Sequence, residues 1–297
     1  MKTQDFKSLL IRNAVVKDKK VGYVLAFDPT RSEDEDPHVI FCVLKSDKWS
    51  NVEGNFNAHD CCMVNDPEFG VVMISGQGHY SVQSRSGATA GNILRRSKDY
   101  RKSRHGGFRS VVGIDDTCYA AGFEGTVFRM LDFEKWEPID KGLPKKFDIE
   151  DIDGFSSDAL FVVGFKGVFF KFNGKKWERI DLPTNAILGC IKCTKNGEVY
   201  IGGDDGVLVV GSGQKWKVVD QDLITDDIWD IEEFKDEIYI STLKGVYRID
   251  EEGLSKVDFG RTTPATTYKL SACDDVLWSI GRSDIVSFDG KKWSRII

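Results

Sequence analysis

A short phrase recurs down the last two thirds of this 297-residue chain. It reads GFEGTVFRMLDFEKWEPID from Gly122, GFKGVFFKFNGKKWERID from Gly164 and GGDDGVLVVGSGQKWKVVD from Gly202. Weaker copies follow as TLKGVYRIDEEGLSKVD from Thr242 and GRSDIVSFDGKKWSRII from Gly281. Trp136, Trp177, Trp216 and Trp293 mark the period, with Leu254 in the missing slot, and the slots lie 41, 39, 38 and 39 residues apart. A unit of that length cannot bury its own faces. It needs neighbours of the same kind, so a fixed period constrains the fold before any local propensity does.

The unit from Ile187 to Asp220 shows what repeats. Ile187 to Cys193 reads as a strand, and Asn196-Gly197 as a tight turn, because both residues tolerate positive φ. Glu198 to Gly202 is a second strand, Asp204-Asp205-Gly206 a second turn, Val207 to Val210 a third strand, and Lys215 to Val219 a fourth that carries Trp216. Four short antiparallel strands per unit, repeated, predict an all-β fold: a single β-propeller over residues 1–297. Seven four-stranded blades are expected, with six blades plus an irregular first segment as the competing count. The first two units span roughly 6–56 and 57–106, and the other five begin near Phe108, Asp148, Ile187, Ile228 and Tyr268. The first unit holds its own outer strand at Trp49, so closure without an exchanged strand is expected. The outer-strand Trp is expected to pack between blades. Trp229 and Trp278 lie outside that slot, within apparent strands, where burial is expected.

The stretches Ala121-Gly122, Val163-Gly164 and Ile201-Gly202, followed by Gly125, Gly167 and Gly206, resemble the repeats of Asp-box and Ycf48-like propellers. So do Asn173-Gly174-Lys175-Lys176-Trp177 and Asp289-Gly290-Lys291-Lys292-Trp293. The resemblance covers about residues 108–297. The box is one residue short between Asp and Trp. In those families it is structural, so the resemblance implies a fold and no catalysis.

Chemical motifs are sparse. Sialidase-type chemistry needs an arginine cluster, a Tyr nucleophile and a paired acid. Arg109, Arg129, Arg179, Arg248, Arg261, Arg282 and Arg295 fall into no such constellation, so no catalytic residue is expected. Cys190 and Cys193 spell CxxC, but residues three apart on a strand face opposite ways, and one such pair without a second is a poor zinc or redox site. Seven cysteines without a disulfide framework read as reduced, mostly core thiols. His38, His59, His79 and His105 lack ligand spacing, and neither a metal nor a cofactor is expected.

Charge carries more. The net charge of −6 argues against general nucleic-acid binding. No stretch approaches the ~18 apolar residues of a transmembrane helix, so no membrane partner is expected. The N-terminus breaks its apolar run at Arg12 and is expected to carry no export signal, which places the chain in the cytoplasm. Two surfaces compete as the binding site. One is an acidic rim: Asp148, Glu150 and Asp151 lead into the fourth blade, Asp204 and Asp205 form a turn, and Asp226, Asp227 and Asp230 lead into the sixth. Glu33-Asp34-Glu35-Asp36 adds charge in the first unit. The other is a basic loop within an irregular insertion at about 76–107, carrying Arg95, Arg96, Lys98, Arg101, Lys102 and Arg104 around Tyr100.

The expected function is therefore non-enzymatic protein binding. The narrower expectation is a cytoplasmic immunity protein that neutralises a basic toxin domain through the acidic rim. The alternatives are a Ycf48-like assembly or scaffold factor, and a glycan-binding or glycosidase-type propeller.

Overall fold

The computed structural model describes residues 3–96 and 107–297. Its strands form seven four-stranded antiparallel sheets, each built from four consecutive strands, and the fold is a seven-bladed β-propeller. The seven-blade count expected from the repeat is the observed one. Among the described residues no strand is exchanged between blades: the first blade runs Leu10–Asp18, Val21–Phe27, Val39–Lys45 and Lys48–Gly54, and the seventh ends in its own strand Trp293–Arg295. The second blade is regular through Ala58–Val64, Gly70–Ser75, His79–Ser84 and Ala88–Asn92. The stretch expected to be irregular from residue 76 therefore contains two ordinary strands, and the blade pattern runs on as far as Asn92. Its Ser/Gly-rich sequence hid a strand whose middle residues, Tyr80, Ser81 and Val82, are all buried, so no apolar alternation announced it.

The chain divides into two compact units. The first comprises Met1–Asn57, Asp204–Val207 and Asp220–Ile297, and so holds blades one, six and seven with one turn of blade five. The second comprises Ala58–Gly203 and Leu208–Val219, with blades two to five.

Within each unit, two recurring devices join neighbouring blades. The first is the outer-strand tryptophan, which packs onto the preceding segment. In the second unit Trp136 meets Tyr80 edge-on at 5.5 Å, and Trp216 meets Phe169 at 4.8 Å. Trp177 is 2% exposed and donates its indole N–H to the Ile139 carbonyl at 2.7 Å. In the first unit Trp293 packs on Phe259 at 4.5 Å and Trp49 on Phe6 at 4.7 Å. Aromatic burial, edge-to-face at Trp49, Trp136 and Trp216, explains why a tryptophan recurs at this position in five of the seven blades.

The second device is a carboxylate on the innermost strand. In the second unit Asp151 accepts from the Ile152 amide and the Ser110 hydroxyl on Oδ1, and from the Ile191 amide of blade five on Oδ2. Asp153 does the same for Gly154 and Cys193, and Asp60 for Cys61 and Val111. In the first unit Asp230 accepts from Ile231 and from Leu270 of blade seven. The reach from Asp151, Asp153 and Asp230 to the next blade is 40 residues each time, the repeat length itself. Buried backbone N–H groups must be paired, and an ionised acceptor pairs them more strongly than a neutral one. Burial nonetheless pushes the Asp153 carboxyl above its ordinary range.

The small residues that close the second strand are set by crowding from the first strand of the same blade. A side chain at Gly122 would place its Cβ 2.1 Å from the Gly107 carbonyl oxygen and 2.5 Å from the Phe108 Cα, and Ala120 and Ala121 beside it are wholly buried.

Candidate functional site

The expected acidic residues divide into two groups once they are placed. Asp151 and Asp230 sit in inner strands, Ile149–Ser156 and Asp230–Phe234, with both carboxylate oxygens engaged by backbone amides as described above. Lys269 adds a cation 3.9 Å from Asp230. Glu150, immediately before Asp151 in sequence and 9% exposed at its side chain, forms an ion pair with Arg109. Asp148 accepts from the Glu124 amide at 3.1 Å. These four are committed to partners in their own and neighbouring blades, and their charge is largely spent there.

The remaining four belong to one stitched group of loops in the first unit. Asp204-Asp205-Gly206 forms a single tight turn, with Asp205 at φ 54° and Gly206 at φ 73°. Gly206 is required there twice over: the backbone is left-handed, and a Cβ would stand 1.9 Å from the Ile224 carbonyl oxygen. That close approach brings the segment 221–229 against the turn. Gln221 fixes it, donating to the carbonyls of Gly206 and Ile224 at 2.9 Å and accepting from the Ile224 amide at 2.7 Å. The Asp205 amide donates to the Asp227 carboxylate at 3.0 Å. Asp226 forms an ion pair with Lys244, which sits in the turn between the second and third strands of blade six. Trp229 donates its amide to the Ser241 carbonyl at 2.9 Å, tying the end of the segment to the same blade.

Asp205 and Asp227 are exposed, and Asp204 is half-buried. Burial raises the Asp204 carboxyl above its usual range, and the Asp227 and Asp205 charges raise it further. A site whose own carboxylates disfavour one another is one that an incoming cation relieves. Across the segments 204–207, 220–230 and 241–246 there are seven aspartates and one lysine, and that lysine is already engaged by Asp226.

Apolar side chains stand among these charges. Ile224 and Ile228 turn inward, at 2% and 3% exposure, while Leu223 and Trp229 turn outward at 43% and 45%. Leu243, beside Lys244, is 49% exposed. The burial expected for Trp229 is thus corrected. The strand begins one residue later, at Asp230, and the buried position at its entrance is taken by Ile228. Trp278 is buried at 2%, in the middle of its strand, where it covers Gly22 of blade one.

The other candidates are plainer. Arg95 and Arg96 end a short helix, Ile93–Arg96, while Lys98, Arg101, Lys102, Arg104 and His105 lie outside the described residues. His38 is fully buried, with Nε2 accepting from the Asp28 amide and Nδ1 facing the Asp36 carbonyl. His59 faces the Arg109 carbonyl. Cys190 is buried and Cys193 half-buried, and burial drives the Cys193 thiol well above its ordinary range. Among the described residues no group of three or more His, Cys, Asp or Glu is arranged to hold a metal ion, and no helix is long and apolar enough to cross a membrane.

No family model matches the chain. Its sequence is 37% identical over 197 residues to the immune protein Tsi7 of Pseudomonas aeruginosa, an alignment covering 64% of each chain. The chain thus spans a little under two thirds of that curated relative. Its structure is similar to YCF48 bound to a D1 peptide, with a TM-score of 0.69 at 10% identity, covering 93% of this chain and 90% of the other. YCF48 from Cyanidioschyzon merolae gives a TM-score of 0.69 at 12% identity, covering 95% of both chains. The WD40 propeller domain of Doa1 gives 0.67 at 11%, covering 97% of this chain and 95% of that domain. At such low identity these structures share the fold.

Proposed function

We propose that this chain is an immunity-type inhibitor: it binds a toxin protein and blocks it, without chemistry of its own. The observation that carries the reading is the 37% identity to the Pseudomonas immune protein. The partner is a basic toxin domain in the cytoplasm, and the binding charge is that of Asp204, Asp205 and Asp227. The basic loop is the competing face. Its cations stand in a chain of net charge −6, whereas the acidic loops add to that field and steer a cationic partner over a longer range. The Asp-box likeness belongs to this reading only as scaffold: Asn173 and Asp289 accept from the amides two and three residues on, which shapes the turn before each tryptophan.

The test is protection. Cells expressing the toxin encoded with this chain are expected to survive when the chain is co-expressed. The purified proteins are expected to form a complex that weakens steeply with salt. Charge reversal at both Asp205 and Asp227 to Lys is expected to slow association about tenfold or more at low salt and to flatten the salt dependence, while dissociation changes less. Toxicity undiminished by the wild-type chain rejects the inhibitor reading. Protection lost instead through neutralising Arg95, Arg96, Arg101 and Lys102 moves the interface to the basic loop.

A further inference from the structure

Eight large apolar side chains are strongly exposed among the described residues. Five of them, Val52, Leu131, Phe155, Phe165 and Val218, are spread over four blades. Leu223, Trp229 and Leu243 fall in segments that the Asp226–Lys244 pair and the Trp229–Ser241 bond hold together. Isolated exposed apolar residues need no explanation, but a grouped set rimmed by charge marks an interaction site.

Nothing in blade architecture needs this tryptophan. The repeat places its structural Trp on the outer strand, and Trp229 lies ahead of an inner strand with its neighbour Ile228 already filling the core. Trp supplies a large contact area at a cost of two rotatable bonds, and it heads the residues that dominate binding energy when they sit at an interface centre inside a polar rim. The rim here is of one sign, formed by Asp204, Asp205 and Asp227, and that fixes the chemistry of the occupant.

We infer that Leu223, Trp229 and Leu243 form the apolar centre of a docking surface for a basic protein, with Asp204, Asp205 and Asp227 as its acidic rim. The partner presents an apolar socket for Trp229, surrounded by Lys or Arg. The aspartates set the rate of encounter, and the tryptophan sets the lifetime of the complex. The inference rests on the inhibitor reading only for the identity of the partner; the surface itself calls for any basic protein.

The experiment uses the full chain carrying a photoreactive benzophenone residue in place of Trp229, irradiated in cells that naturally encode it. A second form carries the same residue in place of Phe155, which is 42% exposed on blade four. The expected result is one discrete adduct with a basic protein from position 229 and none from position 155. The captured protein, purified, is expected to bind the wild-type chain and to lose about 30-fold or more in affinity for Trp229→Ala. Loss for Leu243→Asp and near-retention for Trp229→Phe are expected alongside. The variants keep the wild-type circular dichroism and melting temperature, because these side chains are not in the core. No adduct at 229, an acidic partner, or equal affinity for Trp229→Ala overturns the surface. A basic partner that is not a toxin upholds the surface and removes the inhibitor reading. A toxin captured only at 155 does the reverse.

Discussion

Replacing Trp177 with Ala is expected to destabilise the chain by about 3–5 kcal/mol and to lower its melting temperature by on the order of 10 °C. Three losses combine at that position. The side chain is 2% exposed, so its removal leaves a cavity rather than a dent. It packs on Phe172 at 5.2 Å within its own blade. Its indole N–H also satisfies the Ile139 carbonyl of the preceding segment, which would be left without that donor. Trp177→Phe keeps much of the packing and none of the hydrogen bond, and is expected to recover about half of the loss. Scanning calorimetry of the three proteins checks the order. A Trp177→Ala variant that melts with the wild type would show that the outer-strand tryptophans do not hold blades together. The matching change at Trp229 is expected to leave the melting temperature unmoved, since that side chain is 45% exposed. One residue type is thus expected to separate, by its place in the repeat, into a structural role at Trp177 and the proposed binding role at Trp229.

The periodic part of the molecule was readable because periodicity reports burial. A tryptophan every 40 residues or so, with Gly-rich turns between short β-branched runs, admits few folds, and the strand limits expected for the fifth blade fall within one or two residues of those observed. The candidate site was less readable, because its meaning depends on which carboxylates point into the sheet. Asp226, Asp227 and Asp230 look alike in sequence. Yet Asp230 opens a strand and spends its carboxylate on Leu270, while Asp227 stays on the loop. A signal did exist: aspartate is disfavoured within strands, so a pair on either side of an isoleucine, as Asp151 and Asp153 around Ile152 in Ile149–Ser156, has a reason to be there. Its recurrence one repeat before an inner-strand amide was the missing clue. In blade four a one-residue bulge between Ile149 and Asp151 decides the direction of each neighbouring side chain, and no local propensity encodes it. Trp229 was misplaced for a similar reason. A strand entrance shifted by one residue moves a side chain from core to solvent.

That division changes what a binding experiment means, because an acidic residue can be needed for partner binding merely by holding its blade together. A charge-reversal scan that includes Asp151 or Asp230 is expected to lose binding through unfolding, and only the exposed rim at Asp205 and Asp227 would report on the proposed interface directly. Stability therefore has to be read beside affinity for every carboxylate in the set.

Asp151 gives the sharpest form of that test. Asp151→Ala is expected to cost about 3 kcal/mol, because the Ile191 amide loses a charged acceptor at a position only 4% exposed and the Ser110 hydroxyl loses its acceptor too. Asp151→Asn is expected to fall nearly as far, although it changes a single atom type. The carboxylate accepts on both oxygens, from Ile152 and Ser110 on one and from Ile191 on the other. An amide has one acceptor, so its NH2 must face a backbone N–H whichever way it turns. At Asp227 the same substitution is expected to leave the unfolding midpoint unchanged, because among the described residues only Oδ1 is engaged, by the Asp205 amide, and Asn keeps that acceptor. Urea unfolding of Asp151→Asn and Asp227→Asn, with partner affinity measured on the same samples, separates the two. The expected pattern is a large drop in midpoint for the first, and for the second an unmoved midpoint with slower association. Equal midpoints would mean that the inner-strand carboxylate does not link the blades, and would return Asp151 to the set of candidate binding charges.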